Sequence, residues 1–256
     1  MGRLILLLYG TVCYTAFFVT FLYAIGFIGC FGAPKCIDTG TSASLVKALT
    51  VDALLLGAFA VQHSIMARRW FKRWWTKLVP VAAERSTYVL AATLLLALLM
   101  WQWQPVTAVV WEFRGENARI GFDVLYAAGW AVLLSGTFMI DHFDLFGLRQ
   151  AWIHFRRRKY SHPPFTVTGF YGYTRNPLML GFIIAFWAAP TMTVGRLFFA
   201  AASTVYVLVG IHLEERDHAF YLGDEYRRYK ERTSMLIPMV PRRAAAESDA
   251  VGEGAD

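Results

Sequence analysis

Residues 4–28 read LILLLYGTVCYTAFFVTFLYAIGFI and contain no charged side chain. As an α-helix this stretch would be about 37 Å long, more than the ~30 Å hydrocarbon core of a membrane. The apolar part of a signal peptide is only about 7–15 residues long and ends at a small-residue cleavage site, which this stretch lacks. The stretch therefore predicts a first membrane-spanning helix.

Further apolar stretches follow at residues 45–67, 86–104, 120–140 and 178–213. The last is too long for one crossing, and it contains Pro190 and Gly195, which suit a turn between two short helices. Hydrophobic residues make up 57% of the chain and charged residues 17%, too few charges for an ordinary soluble domain. We therefore predict an all-α, polytopic integral membrane bundle of about six spans, the last two a short helical hairpin.

Connections rich and poor in Lys and Arg alternate along the chain. Segments 68–85 and 141–176 hold six each and the chain from residue 214 holds seven, whereas the other connections hold two or fewer. Because cytoplasmic loops carry the excess of positive charge, both termini are predicted to be cytoplasmic. Segment 68–77 is predicted to be an interfacial helix on that side. Contact with anionic membrane lipid then accounts for the net charge of +7, and no nucleic-acid partner is indicated.

The cysteines and the composition of the last residues lead to further predictions about covalent links, metal binding and domain bounds. Cys30 and Cys36 fall in the first predicted outer loop, where a disulfide would form if the outside is oxidising. The spacing of Cys and His residues matches no metal-binding motif, so no metal is expected. Residues 1–240 are predicted to form one domain, whereas residues 242–256 are rich in Ala, Glu, Asp and Gly and are expected to be disordered.

A polar, glycine-containing turn leads into the apolar stretch that begins at residue 178. Asn176 suits the N-cap of the helix and Pro177 its first turn. The free amides and the positive end of the helix dipole would then face an anion such as a carboxylate. Arg175 adds a guanidinium group that can bind the same anion.

Glu214 and Glu215 end the last predicted span, and the hairpin would bring them to the same end of the bundle as Arg175. Carboxylates there suit an ammonium group or ribose hydroxyls. Two interpretations stay open: a site for a zwitterionic ligand, or a solvated helix end with surface ion pairs. Tyr226 and Tyr229 share one face of a further interfacial helix, and their rings either pack against the protein or cover a cationic sulfonium.

The carboxy-terminal third resembles a known family of membrane enzymes. Arg175-Asn176-Pro177, Glu214-Glu215, Gly223-x-x-Tyr226-x-x-Tyr229 and Pro238 are similar to the motifs of integral-membrane methyltransferases, which include isoprenylcysteine carboxyl methyltransferases and bacterial phospholipid methyltransferases. The shared core covers about residues 165–240. Many members have His where this chain has Asn176.

Longer strings narrow the resemblance. HSIMAR (63–68), FKRWW (71–75), ERSTY (84–88), DHFDLFGLRQ (141–150) and WAAPTMTVGRL (187–197) resemble bacterial methanethiol S-methyltransferases, over about residues 1–243. The amino-terminal half is also similar to a membrane family associated with nitrite and nitric oxide reduction. The resemblance implies a bacterial inner-membrane enzyme whose active site lies on the cytoplasmic side. It also implies S-adenosylmethionine as cofactor and methanethiol, a small volatile thiol, as the partner substrate.

The resemblance also assigns roles to residues. Arg175, Asn176 and Pro177 would shape the cofactor loop and hold its carboxylate, with Tyr173 and Leu180 beside it. Glu214, together with Glu215, would bind the amino group or ribose. The adenine would be enclosed by three residues: Tyr226, Tyr229 and Pro238.

The reaction implied is attack of a thiolate on the sulfonium methyl group, and some group must take the thiol proton. Asp141 and His142 are the first candidates, and the alternatives are His63, His154, His162 and His212. Two other functions stay open. One is methylation of a prenylcysteine carboxylate or phospholipid, and the other is a non-catalytic accessory role in nitrogen-oxide metabolism.

Overall fold

The computed structural model describes residues 2–41, 43–161 and 163–239. Over these ranges the chain is mostly α-helical with almost no sheet, which confirms the all-α prediction. The helices are α1 (Arg3–Gly29), α2 (Leu45–Ala67), α3 (Arg69–Trp75), α4 (Val81–Gln102), α5 (Glu116–Ile140), α6 (His142–Leu145), α7 (Leu148–Phe155), α8 (Pro177–Trp187), α9 (Val194–Leu222) and α10 (Asp224–Arg232). Two short strands, β1 (Val109–Glu112) and β2 (Thr191–Thr193), pair in antiparallel fashion. The predicted disordered tail, 242–256, lies outside the described residues.

Five helices are long and apolar enough to cross a membrane: α1, α2, α4, α5 and α9. The predicted count of six spans is not confirmed, because α8 has only 11 residues and is about 16 Å long. Its partner in the hairpin is not short. Helix α9 has 29 residues, about 43 Å, because the helix continues through the polar residues 212–222 beyond the apolar stretch. The hairpin therefore joins one half-length helix to one that extends past the hydrocarbon core.

Helix α8 packs along α5 at very short distance. A Cβ atom built on Gly181 would lie 2.6 Å from the carbonyl oxygen of Gly129, and one built on Gly129 would lie 2.7 Å from the amide nitrogen of Ala185. Only glycine permits this approach of the two backbones. Leu178 sits against Gly136, so α8 begins about one helical turn inside the end of α5. The close crossing thus sets the depth at which the loop before α8 meets the bundle.

The end of the bundle that holds β1 and β2 also carries a disulfide between Cys30 and Cys36. The bond that the sequence left conditional is therefore present. Asp38, just after this loop, accepts hydrogen bonds from Thr193, at 2.7 Å, and from Arg196. Lys35 donates to the carbonyl oxygens at the end of α4. These polar contacts hold the loop after α1 to the end of α4 and to the start of α9, and the sequence predicted neither them nor the strand pair.

Candidate functional site

The segment before α8 is clasped by the carboxy-terminal part of the described chain. The amide of Arg175 donates to the carbonyl of Ser234 at 2.9 Å, and the amide of Met239 donates to the carbonyl of Tyr173 at 3.2 Å. Thr174 and Ser234 form an isolated parallel bridge. We call the paired segments 171–176 and 226–239 the carboxy-terminal clasp. The clasp brings most of the predicted cofactor residues to one end of the bundle.

A buried ion pair holds the clasp to α9. The Nε atom of Arg175 lies 2.7 Å from Oε1 of Glu215, and the side chains are only 7% and 8% exposed. The guanidinium also donates to the carbonyls of Lys230, at 3.0 Å, and Thr233. The ammonium of Lys230 lies 3.2 Å from Oε2 of Glu215. Both carboxylate oxygens of Glu215 are therefore engaged within the protein.

The amino terminus of α8 is capped differently from the expectation. Pro177 occupies the first turn as predicted, and Asn176 is the N-cap residue. The side chain of Asn176, however, donates to the carbonyl of Met235 at 3.1 Å and makes no capping bond to a helix amide. The first amides of α8 thus carry no side-chain cap from Asn176. Leu180 lies one turn further along the same helix and donates its amide to the Asn176 carbonyl.

Tyr226 and Tyr229 pack into the clasp. The hydroxyl of Tyr229 donates to the carbonyl of Tyr171 at 2.6 Å, and both tyrosine rings contact Phe165 edge-on. Burial raises the pKa of Tyr226 to about 12, and it also raises the pKa of Tyr229, so both hydroxyls are neutral at physiological pH. Each ring therefore has an edge-on contact with Phe165 within the protein.

Tyr173 and Pro238 lie at the exposed edge of the clasp. The carbonyl of Tyr173 accepts from the Met239 amide and from the Ser234 hydroxyl. The Tyr173 ring is half exposed, at 51%, and is free of the tyrosine packing described above. Both side chains therefore border solvent beside the buried ion pair.

The adjacent carboxylates of α9 have different surroundings. Successive residues of a helix point about 100° apart, so Glu215 faces Arg175 while Glu214 is exposed on another face. Burial, followed by the negative charge of Glu214, raises the pKa of the Tyr171 hydroxyl. Glu214 thus presents its charge to the same end of the bundle without an ion-pair partner among the described residues.

Asp141 and His142 lie at the junction of α5 and α6 rather than at the ion pair. Nε2 of His142 is 2.9 Å from the Tyr14 hydroxyl, and Nδ1 is 2.8 Å from Oγ1 of Thr137. That Oγ1 donates to the carbonyl of Leu134, so it accepts from Nδ1–H, and the Tyr14 hydroxyl donates to Nε2. Both ring nitrogens are therefore satisfied.

The surroundings of His142 also favour its neutral form. Burial lowers the pKa of His142, and the negative charge of Asp141 partly offsets this effect. Asp141 itself caps α6 by accepting from the Asp144 amide, and it pairs with Arg149 at 3.5 Å. In the described part of the chain, no contact joins either residue to the Arg175–Glu215 pair. Met139, in the last turn of α5, contacts the loop before α8, because its sulfur accepts from the Phe170 amide.

The structure also places the alternative histidines and adds a lysine to the site. His63, an alternative proton acceptor, lies beside the Tyr88 hydroxyl, whereas His162 lies outside the described residues. Lys230 was not predicted to belong to the site. A signal was available, because Lys230 is four residues after Tyr226 and so shares its face of α10.

Comparison with known proteins identifies the family. The chain is 46% identical to "Methanethiol S-methyltransferase" of Crocosphaera subtropica, with 95% of this chain and 96% of the relative covered. It is 50% identical to "Methanethiol S-methyltransferase 1" of Bradyrhizobium diazoefficiens, with 92% and 83% covered. It is 48% identical to "Methanethiol S-methyltransferase" of Mycobacterium tuberculosis, with 93% and 98% covered.

No protein-family model matches the chain, and no solved structure does. The identities above extend over nearly the whole chain and most of each relative, and the three relatives share one name. They therefore support the resemblance drawn from the sequence motifs over the same range. The chain belongs to the methanethiol S-methyltransferases and is a thiol methyltransferase.

Proposed function

We propose that the protein transfers a methyl group from S-adenosylmethionine to the sulfur of methanethiol and yields dimethyl sulfide and S-adenosyl-homocysteine. The observation that carries the proposal is the shared name of relatives that are 46–50% identical over 92–95% of the chain. Methylation of a prenylcysteine carboxylate or phospholipid is the second candidate, and the resemblance of the 165–240 core to those enzymes favours it.

The groups at the carboxy-terminal clasp fit the charges of the methyl donor. S-adenosylmethionine carries a carboxylate, an ammonium group, ribose hydroxyls and an adenine. The amides that follow Pro177 in the first turn of α8, with Asn176, suit the carboxylate, and Tyr173 and Leu180 border that position. The exposed carboxylate of Glu214 suits the ammonium group or the ribose. The adenine would lie against the aromatic side of the clasp, formed by Tyr226, Tyr229 and Pro238.

Arg175 and Glu215 take a different role in this proposal. Their side chains are buried against each other, and the Arg175 guanidinium also bonds two carbonyls of the clasp. We infer that they are positioning residues, which hold the loop 171–176 at the depth where α8 begins. Asp141 and His142 likewise support the end of α5 beside this loop.

Bound S-adenosylmethionine would supply a methyl group activated by positive sulfur. The chain has to hold the thiol sulfur about 3–3.5 Å from that methyl carbon and in line with it. It also has to remove the thiol proton, because the thiolate is the nucleophile. Residues at the end of the bundle that carries the clasp would exclude water from this reaction.

We also propose that the protein lies in a bacterial inner membrane with both termini and the active site on the cytoplasmic side. Support comes from the concentration of Lys and Arg in segments 68–85, 141–176 and the chain after residue 214.

The test supplies the purified full-length protein in detergent with S-adenosylmethionine and methanethiol and measures dimethyl sulfide in the headspace. Product that requires both substrates is expected. In parallel, calorimetry with S-adenosyl-homocysteine should show at least tenfold weaker binding for Glu214→Gln, whereas the exposed Glu225→Gln serves as a matched control with unchanged affinity. Binding without dimethyl sulfide would instead support the prenylcysteine or lipid acceptor. Equal affinity of Glu214→Gln and the wild-type protein would contradict the assignment of Glu214.

A further inference from the structure

A surface pocket lies between the start of α3 and the end of α9. It has a volume of about 440 Å³, and its lining includes three arginines, one aspartate and two aromatic residues: Arg69, Arg216, Arg227, Asp217, Phe220 and Tyr221. This volume falls in the range of small-molecule sites, about 300–1,000 Å³. Among the described residues that line it, none belongs to the proposed cofactor site. We call it the α3–α9 pocket.

Two contacts between its walls shape the pocket. The chain leaves helical geometry at Arg68, between α2 and α3, and the Arg68 side chain pairs with Asp217 of α9 at 3.1 Å. The guanidinium carbon of the next residue, Arg69, lies 3.2 Å from the centre of the Tyr221 ring. A guanidinium group that stacks on a ring keeps its N–H groups at its edge, where they can bind an anion. Contacts within the protein therefore hold Arg69 at the pocket.

The pocket carries an excess of positive charge. Its one aspartate is already paired with Arg68, and Arg227 is paired with Asp224 at 3.2 Å. In the described part of the chain, no carboxylate lies within ion-pair distance of Arg69 or Arg216. Two guanidinium groups are therefore available to an anion, and their fork of N–H donors matches the oxygens of a phosphate.

Both walls of the pocket lie just past the apolar ends of membrane helices. Helix α2 ends at Ala67, and the apolar stretch of α9 ends at Leu213. At 1.5 Å per residue, residues 216–221 lie about 5–12 Å beyond Leu213 along the helix. The headgroup layer on each side of a bilayer is about 5–8 Å thick. The depth of the pocket therefore overlaps that of phospholipid phosphates.

Exposed aromatic side chains flank the two available arginines. Phe220 lines the pocket and is 79% exposed, and Trp70, next to Arg69 in the chain, is 60% exposed. Phe71 instead packs into the bundle against the cluster of Met66 and Tyr88. Exposed aromatic rings at this depth are typical of contact with lipid. Inorganic phosphate would gain nothing from such rings, whereas the glycerol and acyl chains of a phospholipid would.

We propose that the α3–α9 pocket binds one anionic glycerophospholipid, with Arg69 and Arg216 on its phosphate and Phe220 and Trp70 against its glycerol and upper acyl chains. A zwitterionic lipid fits less well, because its ammonium group would face two guanidinium groups that lack a carboxylate partner. The bound lipid joins α3 to the end of α9, the helix that carries Glu215 of the clasp. A lipid such as phosphatidylglycerol stabilises this end of the bundle and has no amine to be methylated.

The first test measures lipid binding by the purified full-length protein in detergent. Dioctanoyl-phosphatidylglycerol, the probe, is expected to raise the Tm, whereas dioctanoyl-phosphatidylcholine at the same concentration should not. Arg69→Gln/Arg216→Gln should raise the lipid concentration needed for half of the Tm shift by about tenfold or more. The matched control is Arg156→Gln/Arg158→Gln, which removes the same charge from two exposed arginines, one of them 5.8 Å from the Trp152 ring centre. The control should keep the wild-type response.

Equal lipid responses of the two double variants would overturn the site, and so would equal responses of the wild-type protein to the two lipids. Inorganic phosphate is tested at the same concentration. A Tm rise as large as that with phosphatidylglycerol would assign the pocket to a free anion and overturn the lipid. If the first double variant does not fold, the single exchange Arg216→Gln, at an exposed residue, provides the same comparison.

Two further readouts do not depend on melting. Native mass spectrometry should show one more retained phosphatidylglycerol molecule on the wild-type protein and the control than on Arg69→Gln/Arg216→Gln. Calorimetry should show S-adenosyl-homocysteine affinity within about twofold of wild type in that variant. A loss of affinity as large as the loss of lipid binding would place the two arginines in the cofactor site and overturn the inference. None of these readouts requires dimethyl sulfide, so the lipid site and the proposed function can fail separately.

Discussion

Replacement of Glu215 by Gln tests whether the buried ion pair holds the carboxy-terminal clasp to the bundle. The exchange keeps the size of the side chain and removes its charge. Arg175 would then remain 7% exposed, with neutral oxygen atoms as the only hydrogen-bond acceptors of its guanidinium. Lys230, the second cation of the cluster, is half exposed and can turn to solvent. Breaking one side of a buried pair costs about 3–5 kcal/mol. The lower figure corresponds to an increase on the order of 100-fold in the population of the open clasp.

Hydrogen exchange measures that opening directly. The amides of Arg175 and Met239 are protected by the carbonyls of Ser234 and Tyr173, so peptides covering these positions report the open population. In Glu215→Gln they should exchange on the order of 100-fold faster at pH 7, with weaker binding of S-adenosyl-homocysteine.

Asp224→Asn provides the matched control for this experiment. It breaks the Arg227–Asp224 pair in the first turn of α10, but those side chains are 68% and 78% exposed, and such pairs contribute only about 0–1 kcal/mol. Equal exchange rates in Glu215→Gln and Asp224→Asn would refute the argument from burial.

Three smaller predictions follow from other contacts. Burial holds the pKa of His142 in the folded protein below its ordinary value of 6.5. The stability that neutral His142 contributes is therefore complete above pH 6.5 and is lost as the pH falls through the pKa of the folded state. His142→Asn should remove this contribution to the fall of Tm at acid pH. Replacing Cys30 and Cys36 with Ser should lower stability by about 2 kcal/mol, seen as a lower Tm that a reducing agent no longer changes. Tyr229→Phe leaves the Tyr171 carbonyl without its 2.6 Å donor and should cost about 1–2 kcal/mol, measured as faster exchange of the clasp amides.

The membrane helices were predictable because hydrophobic length is a local property. The bounds of α2 match the predicted stretch 45–67, and α5 ends at the predicted residue, Ile140. The end of α8 was also predictable, because Pro190 and Gly195 indicated a turn and the helix ends at Trp187. The β1–β2 pair after it was not predictable, because its partner strand lies about 80 residues earlier.

The motifs of the candidate site were predictable as a set, but not their individual partners. Arg175, Asn176 and the two adjacent glutamates do meet at one end of the bundle. Which glutamate meets the arginine depends on the rotation of α9 about its axis, and that rotation is fixed by packing against α8 and α2. Adjacent helical residues differ by about 100° in direction, so a rotation of that size would exchange their roles.

The sequence by itself determined that the chain is a helical membrane protein with a cluster of polar residues near its end. Runs of apolar residues and the positions of charged residues are local properties, which do not depend on contacts with distant parts of the chain. Only the tertiary structure decided which tyrosine hydroxyl each of the two histidines, His63 and His142, contacts. The Tyr14 hydroxyl that engages His142 is 128 residues away along the chain, and the Tyr88 hydroxyl beside His63 belongs to another helix. Hydrogen bonds act over about 3 Å in space and are indifferent to separation along the chain, so their pairing exists only after the helices have packed.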